Sequence, residues 1–145
     1  MSIDRMDWHY GGDYPEDLPD ENGGTHIGMF LAWLIHHHLE STFLQEEAAA
    51  ELDAVRSRQM TGRDFLMQVC DEKFIEEDLS DEGLAFTRFY YDNNSPNEGY
   101  IADYEKALSR ILPSVYHVED NWENYDRIEP YISQAHRGWK AAQKA

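Results

Sequence analysis

The chain reads as a mainly all-α single domain, a bundle of five to seven helices with an irregular acidic arm at its N-terminal end. Three observations predict this. The apolar run from Ile27 to Ile35 has helical spacing. The stretch EEAAAELDAVRSR is rich in strong helix formers. Ser and Thr stand where N-caps belong, ahead of several apolar stripes. A chain of 145 residues suits one domain and is long enough to bury a real core. Residues 1–24 form the arm and residues 25–145 the helical body.

The arm holds four of the nine glycines (Gly11, Gly12, Gly23, Gly24) and two of the five prolines (Pro15, Pro19), a composition that breaks regular structure. Trp8, Tyr10 and Tyr14 are interleaved with acids. Such an aromatic segment is expected to lie across the body, rings inward and carboxylates outward. The first helix is expected to start with Thr25 as N-cap and to run to about Leu39. Ile27, Phe30, Leu31 and Leu34 make one face, and Met29, Trp33 and Ile35 make the others apolar, as in a central buried helix. A second helix is expected over 43–58, with Thr42-Phe-Leu-Gln45 as a capping box and Arg56 and Arg58 near its C-terminal end. A third begins at Thr61 and turns Phe65, Leu66, Val69 and Cys70 inward.

Ser80-Asp-Glu-Gly gives another N-cap signal. The following LAFTRFYY fits neither period cleanly: its aromatics favour a strand and its cap a helix, and helix is the preferred reading. A short strand or hairpin is accommodated near 84–91 and 114–118. Asp92-Asn93-Asn94 ends this element. Ser95-Pro96-Asn97-Glu98 marks the next helix start; Ile101, Tyr104, Leu108 and Ile111 line its face, and Pro113 ends it. Asp120-Asn-Trp-Glu123 starts the last helical region. Pro130 kinks or divides it, Ile128, Ile132, Ala135 and Trp139 form its stripe, and Arg137, Lys140 and Lys144 complement its dipole.

Charge bounds the function. Asp and Glu number 29 against 12 Lys and Arg, a net charge of −17. Self-repulsion of this size works against a compact fold, so a use is expected for it, namely attraction of a basic protein surface. The same field repels phosphate, so no nucleic acid and no anionic membrane is expected as a partner. Hydrophobic residues at 41% exclude a disordered acidic tail. The single Cys70 permits no intrachain disulfide, MSIDRMDWHY has no signal-peptide character, and 27–35 is too short to span a bilayer; a cytoplasmic location is the expectation.

No motif calls for catalysis or for a cofactor. His36-His37-His38 cannot bind one metal from a regular helix, because consecutive residues point about 100° apart. His36 and Glu40, at i and i+4, could form half a metal site. The other histidines, His9, His26, His117 and His136, are scattered. Gly23-Gly24-Thr25-His26-Ile27-Gly28 looks like an anion-binding turn but lacks a P-loop lysine and follows Asp20 and Glu21, so it reads as a flexible entry with close packing at Gly28. The paired carboxylates lie in hydrophilic runs, not in the dry pocket that acid–base chemistry requires, and no G-x-S-x-G elbow occurs.

The run DWHYGGDYPEDLP, followed by ENGGTHIGMFLAWLIHHHLES, resembles an uncharacterised family of small acidic bacterial proteins. The chain is similar in kind to immunity proteins, which neutralise a cognate toxin. That resemblance implies a non-enzymatic module binding a basic toxin by electrostatic steering and occlusion of its active site. The expected contacts are Trp8, Tyr10, Asp13, Tyr14, Glu16, Asp17, Asp20 and Glu21. A second acidic run, Glu76, Glu77, Asp78, Asp81 and Glu82, is the back-up surface. The alternatives are a metal-binding protein or enzyme centred on His36 and Glu40, and an acidic nucleic-acid mimic.

Overall fold

The computed structural model describes residues 1–93, 95 and 97–143. Its organising element is the helix whose sequence is apolar all round. Helix α2 (Thr25–His36) is buried at every residue from Thr25 to Ile35. The other elements wrap it: β1 (Ser2–Arg5), α1 (Asp7–Tyr10), α3 (Thr42–Glu47), α4 (Ala49–Arg56), α5 (Gly62–Gln68), β2 (Lys73–Ile75), α6 (Asp81–Tyr90), α7 (Tyr100–Tyr104) and α8 (Trp122–Gln143). Short 3-10 turns lie at Asp20–Gly24, Glu76–Asp78 and Val115–His117. The fold is mainly all-α, with one two-stranded antiparallel sheet. Among the described residues no helix is long and apolar enough to cross a membrane.

Helix α5 approaches α2 at two glycines, Gly28 and Gly62. An added Cβ on Gly62 would fall 1.8 Å from the Gly28 carbonyl oxygen, and one on Gly28 would fall 2.3 Å from the Arg63 nitrogen. Backbone therefore meets backbone, and α5 delivers Phe65 and Leu66 to the core. On the other side of α2, Phe30 is ringed by Phe74, Phe86, Tyr90, Tyr91 and Tyr100 at centroid distances of 5.0 to 6.2 Å. This aromatic layer joins β2, α6 and α7 to the central helix. Ile128 and Ile132 of α8 complete the core, and the Trp33 indole donates to Ser133 on the same helix at 3.0 Å.

Capping is legible at three of the predicted starts. Thr61 accepts from the Asp64 amide, and Ser80 accepts from the Gly83 amide. The third is at 120–123, where the Asn121 side chain accepts from the Asn124 amide ahead of α8. Elsewhere the structure differs. Thr25 does not cap α2; it is buried as the first helical residue, and its hydroxyl accepts from Arg63 at 3.0 Å. Helix α2 ends at His36, and His38 at φ 57° turns the chain away before Leu39. Residues 42–58 form two helices, because Ala48 leaves helical geometry at φ −135°, and Ser41, not Thr42, is the cap. The strands are at 2–5 and 73–75; α6 covers 84–90, and 114–118 holds a single 3-10 turn at Val115–His117. Two successive residues at positive φ, Asp71 and Glu72, swing the chain from α5 into β2.

Helix α7 begins at Tyr100, behind Gly99 at φ 95°, not at the predicted cap near Ser95; Asn94 and Pro96 of those signals lie outside the described residues, as does Lys144. A π-helical turn, Glu105–Ser109, continues α7. Its wider winding rotates the face defined by Ile101 and Tyr104, and Ile111, expected inside, is 92% exposed. Pro130 lies inside an uninterrupted α8.

Candidate functional site

The acidic arm is a built part of the fold. Strand β1 pairs antiparallel with β2, with Asp4 opposite Phe74 and Arg5 opposite Lys73, and the Met6 amide then donates to the Glu72 carbonyl at 3.0 Å. Helix α1 follows at once. Gly23 and Gly24 allow the chain to return closely over it: a Cβ on Gly24 would meet the Met6 sulfur at 2.7 Å, and one on Gly23 the His9 Cβ at 3.4 Å. The Asn22 side chain donates to the Tyr116 carbonyl at 2.8 Å, and the Tyr14 hydroxyl donates to the Pro19 carbonyl at 2.7 Å. The Tyr14 and Tyr116 rings pack at 5.0 Å.

This anchoring sorts the predicted contact residues. Tyr10 and Tyr14 are half-buried in the arm's own packing, whereas Trp8 remains 55% exposed. Asp13, Glu16, Asp17, Asp20 and Glu21 are all exposed. Asp17 faces His117 at 3.2 Å and Glu21 lies 3.9 Å from Arg63. Asp13, Glu16 and Asp20 meet no cation among the described residues.

The second acidic run is largely engaged within the protein. Glu76 pairs with Arg88 at 3.0 Å, Glu77 takes the N-terminal ammonium, and Glu82 receives His136 and Lys140. Asp78, expected at the surface, is buried beside Cys70. Its backbone carbonyl accepts from Ser41, which holds the turn against the start of α3. Burial and the neighbouring Asp78 together push the Cys70 thiol up, away from the thiolate form. Glu77 is exposed despite its ion pair, and Asp81 is exposed at the first turn of α6.

His36 and Glu40 are not brought to a common centre. The His36 ring stacks on Trp122 and its Nε2 lies 3.0 Å from the Val55 carbonyl. Glu40 is buried and accepts from Arg56 at 2.7 Å and from Gln45 at 3.0 Å. Both side chains thus tie α2 and its exit to α4.

A polar centre with no forewarning in the sequence lies beneath the arm. Asp4 from β1, His9 from α1 and His26 from α2 meet there, and their ligand-type atoms all lie within 4.8 Å of one another. Asp4 Oδ1 faces His9 Nε2 at 2.8 Å and also accepts from the Arg5 amide. Asp4 Oδ2 accepts from the Tyr91 hydroxyl at 2.5 Å and lies 3.6 Å from His26 Nε2. His9 Nδ1 is 2.8 Å from the Tyr116 hydroxyl, and the Tyr100 hydroxyl donates to the His26 carbonyl at 2.6 Å. Burial raises the Asp4 carboxyl, but the bonds from His26 and His9 outweigh it and hold Asp4 below the usual carboxylate range. Burial drives His26 downward against the opposing pull of Asp4, so a neutral imidazole faces an ionised carboxylate at neutral pH.

Asp4 and His9 stand five residues apart across a strand–helix junction, and His26 comes seventeen residues later. No helical or strand period links them. The Gly23-Gly24 pair was the only local sign, since it marks where backbone comes close to another segment.

No curated protein and no solved structure matches the chain at a significant level. One family model does, described as a domain of unknown function, and its match covers residues 2–118, the span containing both the acidic arm and the Asp4–His9–His26 centre. The chain therefore belongs to the DUF7832 family.

Proposed function

We propose that this protein is a non-enzymatic binding module of the cytoplasm that captures a basic protein partner through its N-terminal arm, as an immunity protein captures its toxin. The observation that carries this reading is the exposed Trp8 on a pinned arm whose Asp13, Glu16 and Asp20 carboxylates have no cation of their own among the described residues. Other acids are paired within the protein: Glu76 with Arg88 and Glu82 with Lys140 in the body, and Asp7 with Arg5 in the arm itself. The arm thus presents carboxylates without a cation beside an exposed aromatic ring; Glu46, Glu47 and Asp81 are also exposed and unpaired among the described residues. Charges of this kind steer a basic surface and raise the association rate, and a rigid aromatic then supplies contact area. Burying the remaining exposed part of Trp8 contributes on the order of 1–2 kcal/mol. The pairing of Glu76, Glu77 and Glu82 with the protein's own cations moves the back-up surface behind the arm in importance.

The test is capture of partners from native lysate on the immobilised protein, elution by a salt gradient, and measurement of association with the captured protein. Reversing Asp13, Glu16 and Asp20 to Lys is expected to slow association about tenfold or more at low salt, with little effect at high salt. Trp8→Ala is expected to speed dissociation. For an immunity role, co-expression must also relieve the partner's toxicity. Association unaffected by the triple reversal would remove the arm as the interface.

A further inference from the structure

We infer that Asp4, His9 and His26 form a site for one divalent transition metal of the zinc class, a clasp that fastens β1 and α1 to the central helix. The inference is independent of the partner reading. The three donors are one carboxylate and two imidazoles, a set that suits Zn²⁺ and its neighbours and not Mg²⁺ or Ca²⁺, which take oxygen ligands. Their spacing fits. Bond lengths of 2.0–2.1 Å place tetrahedral ligand atoms about 3.3 Å apart. His9 Nε2 and Asp4 Oδ1 are 2.8 Å apart, and His26 Nε2 and Asp4 Oδ2 are 3.6 Å apart. As a set, with one oxygen from Asp4, the three donor atoms lie within 4.8 Å of one another, so closing them on one metal takes side-chain shifts of up to about 1.5 Å.

The surroundings point the same way. The Asp4 carboxyl is at 9% exposure and meets no Lys or Arg side chain among the described residues, only the two imidazoles: Arg5, its chain neighbour, turns outward to Asp7. A buried charge of this kind is normally paired or coordinates a metal. His26 is 2% exposed and its Nδ1 has no hydrogen-bond partner among the described residues, and the same holds for the Tyr104 hydroxyl. The Tyr104 and His26 rings are neighbours, with centres 6.2 Å apart.

Outer partners already orient the donors. Tyr91 holds Asp4 Oδ2, and Tyr116 holds His9 Nδ1. A ligating histidine presents a lone pair on one ring nitrogen and donates its proton from the other. Metal at His9 Nε2 moves the ring proton to Nδ1, where the Tyr116 hydroxyl accepts it. The exchange needs no new residue. Asp4 and His26 are at 9% and 2% exposure and His9 is half-buried, so the three donors hold the metal within the fold and leave its fourth tetrahedral position to a water on the His9 side.

The protein should be prepared without an affinity tag, equilibrated with ZnCl₂, desalted and submitted to elemental analysis. One zinc per chain is expected to be retained. A hundredfold excess of free zinc over its Kd is expected to raise Tm by about 8–10 °C. Cobalt(II) in place of zinc should give the visible absorption of a tetrahedral nitrogen–oxygen site. His9→Gln, at a half-buried position that tolerates change, is expected to keep the far-UV circular dichroism of the fold while weakening zinc binding more than 100-fold; Tyr116→Phe should weaken it about tenfold. Asp4→Asn should abolish the cobalt spectrum. His37→Ala/His38→Ala, which removes exposed surface histidines, must leave the stoichiometry at one. No retained zinc, or zinc lost in the His37/His38 variant and kept in His9→Gln, would overturn the inference.

Discussion

Gly62→Ala sets local preference against packing, and the two predict opposite signs. Gly62 is the first residue of α5. On helix propensity alone, Ala in place of Gly gains up to about 1 kcal/mol. The structure opposes this. The new methyl would sit 1.8 Å from the Gly28 oxygen and 2.7 Å from its carbonyl carbon, and these are backbone atoms that cannot rotate aside. An ordinary contact needs about 3.4 Å, so the α2–α5 crossing must open by roughly 1.5 Å. Overpacking of a tight core costs about 1–3 kcal/mol and at times more. The shift also drags Arg63 from Thr25 and Asp120, now at 3.0 and 3.3 Å, at roughly 1 kcal/mol per lost contact. The net expectation is a loss of about 2–4 kcal/mol, or about 5–12 °C in Tm. Urea denaturation followed by circular dichroism measures it. Gly138→Ala is the control: it lies in α8 with nothing within 4 Å of its added Cβ, and should gain about 0.5–1 kcal/mol. A Gly62→Ala protein as stable as the wild type, or stabilised like Gly138→Ala, would refute the close-crossing argument.

Three further outcomes are expected. Arg56→Ala leaves the buried Glu40 carboxylate with only Gln45, and should cost about 3 kcal/mol in urea denaturation; a loss below 1 kcal/mol would mean that Glu40 reaches water. Tyr91→Phe strips Asp4 Oδ2 of its hydroxyl donor and should cost about 1–3 kcal/mol, read as a lower Tm, with no cost expected only if the bond is absent. Asp78 concerns pH. Burial raises its carboxyl, the Cys70 hydrogen bond counters this, and the charge of Glu77 adds to the rise. Above the ordinary carboxylate value of 3.8, the unfolded chain releases this proton more readily than the folded one. Ionised Asp78 therefore lowers stability at neutral pH, and the loss fades as pH falls toward that value. Asp78→Asn should gain on the wild type more at pH 7 than at pH 4; an equal difference in urea midpoint at both would show that the carboxyl is not perturbed.

The helical body was legible because its signals are local. Period and composition locate α2, and side-chain caps at Thr61 and Ser80 sit where hydroxyl residues precede apolar stripes. Local signals also misled. Thr25 has the form of a cap, yet tertiary demand overrides it: the Arg63 guanidinium claims its hydroxyl and Gly24 takes the cap position. Ala48 is a strong helix former inside a strongly helical run, yet it is buried and leaves helical geometry there. The π-turn at 105–109 has no marker in composition, so the face ending at Ile111 was extrapolated one turn too far.

The Asp4–His9–His26 centre was illegible for a deeper reason. Strand β1 exists only because β2, some seventy residues on, offers it an edge; Ser2-Ile-Asp-Arg5 alone has too few residues to hold an extended form. Pairing with β2 fixes which side of the strand faces inward, and so sends Asp4 beneath the arm and Arg5 toward Asp7. Only then can the strand–helix junction bring His9 onto Asp4, and the glycine pair at 23–24 bring α2 close enough for His26 to join them. A single set of long-range constraints therefore does two things. It buries an ionisable centre under the arm, and it holds Trp8, the residue next to His9, outward on a fixed helix. If the arm is the recognition surface, its order depends on the centre below it. Asp4→Asn or His9→Gln should then reduce the proteolytic resistance of residues 7–24 before it affects the helical body, whereas simultaneous cleavage of arm and body would place the anchoring elsewhere.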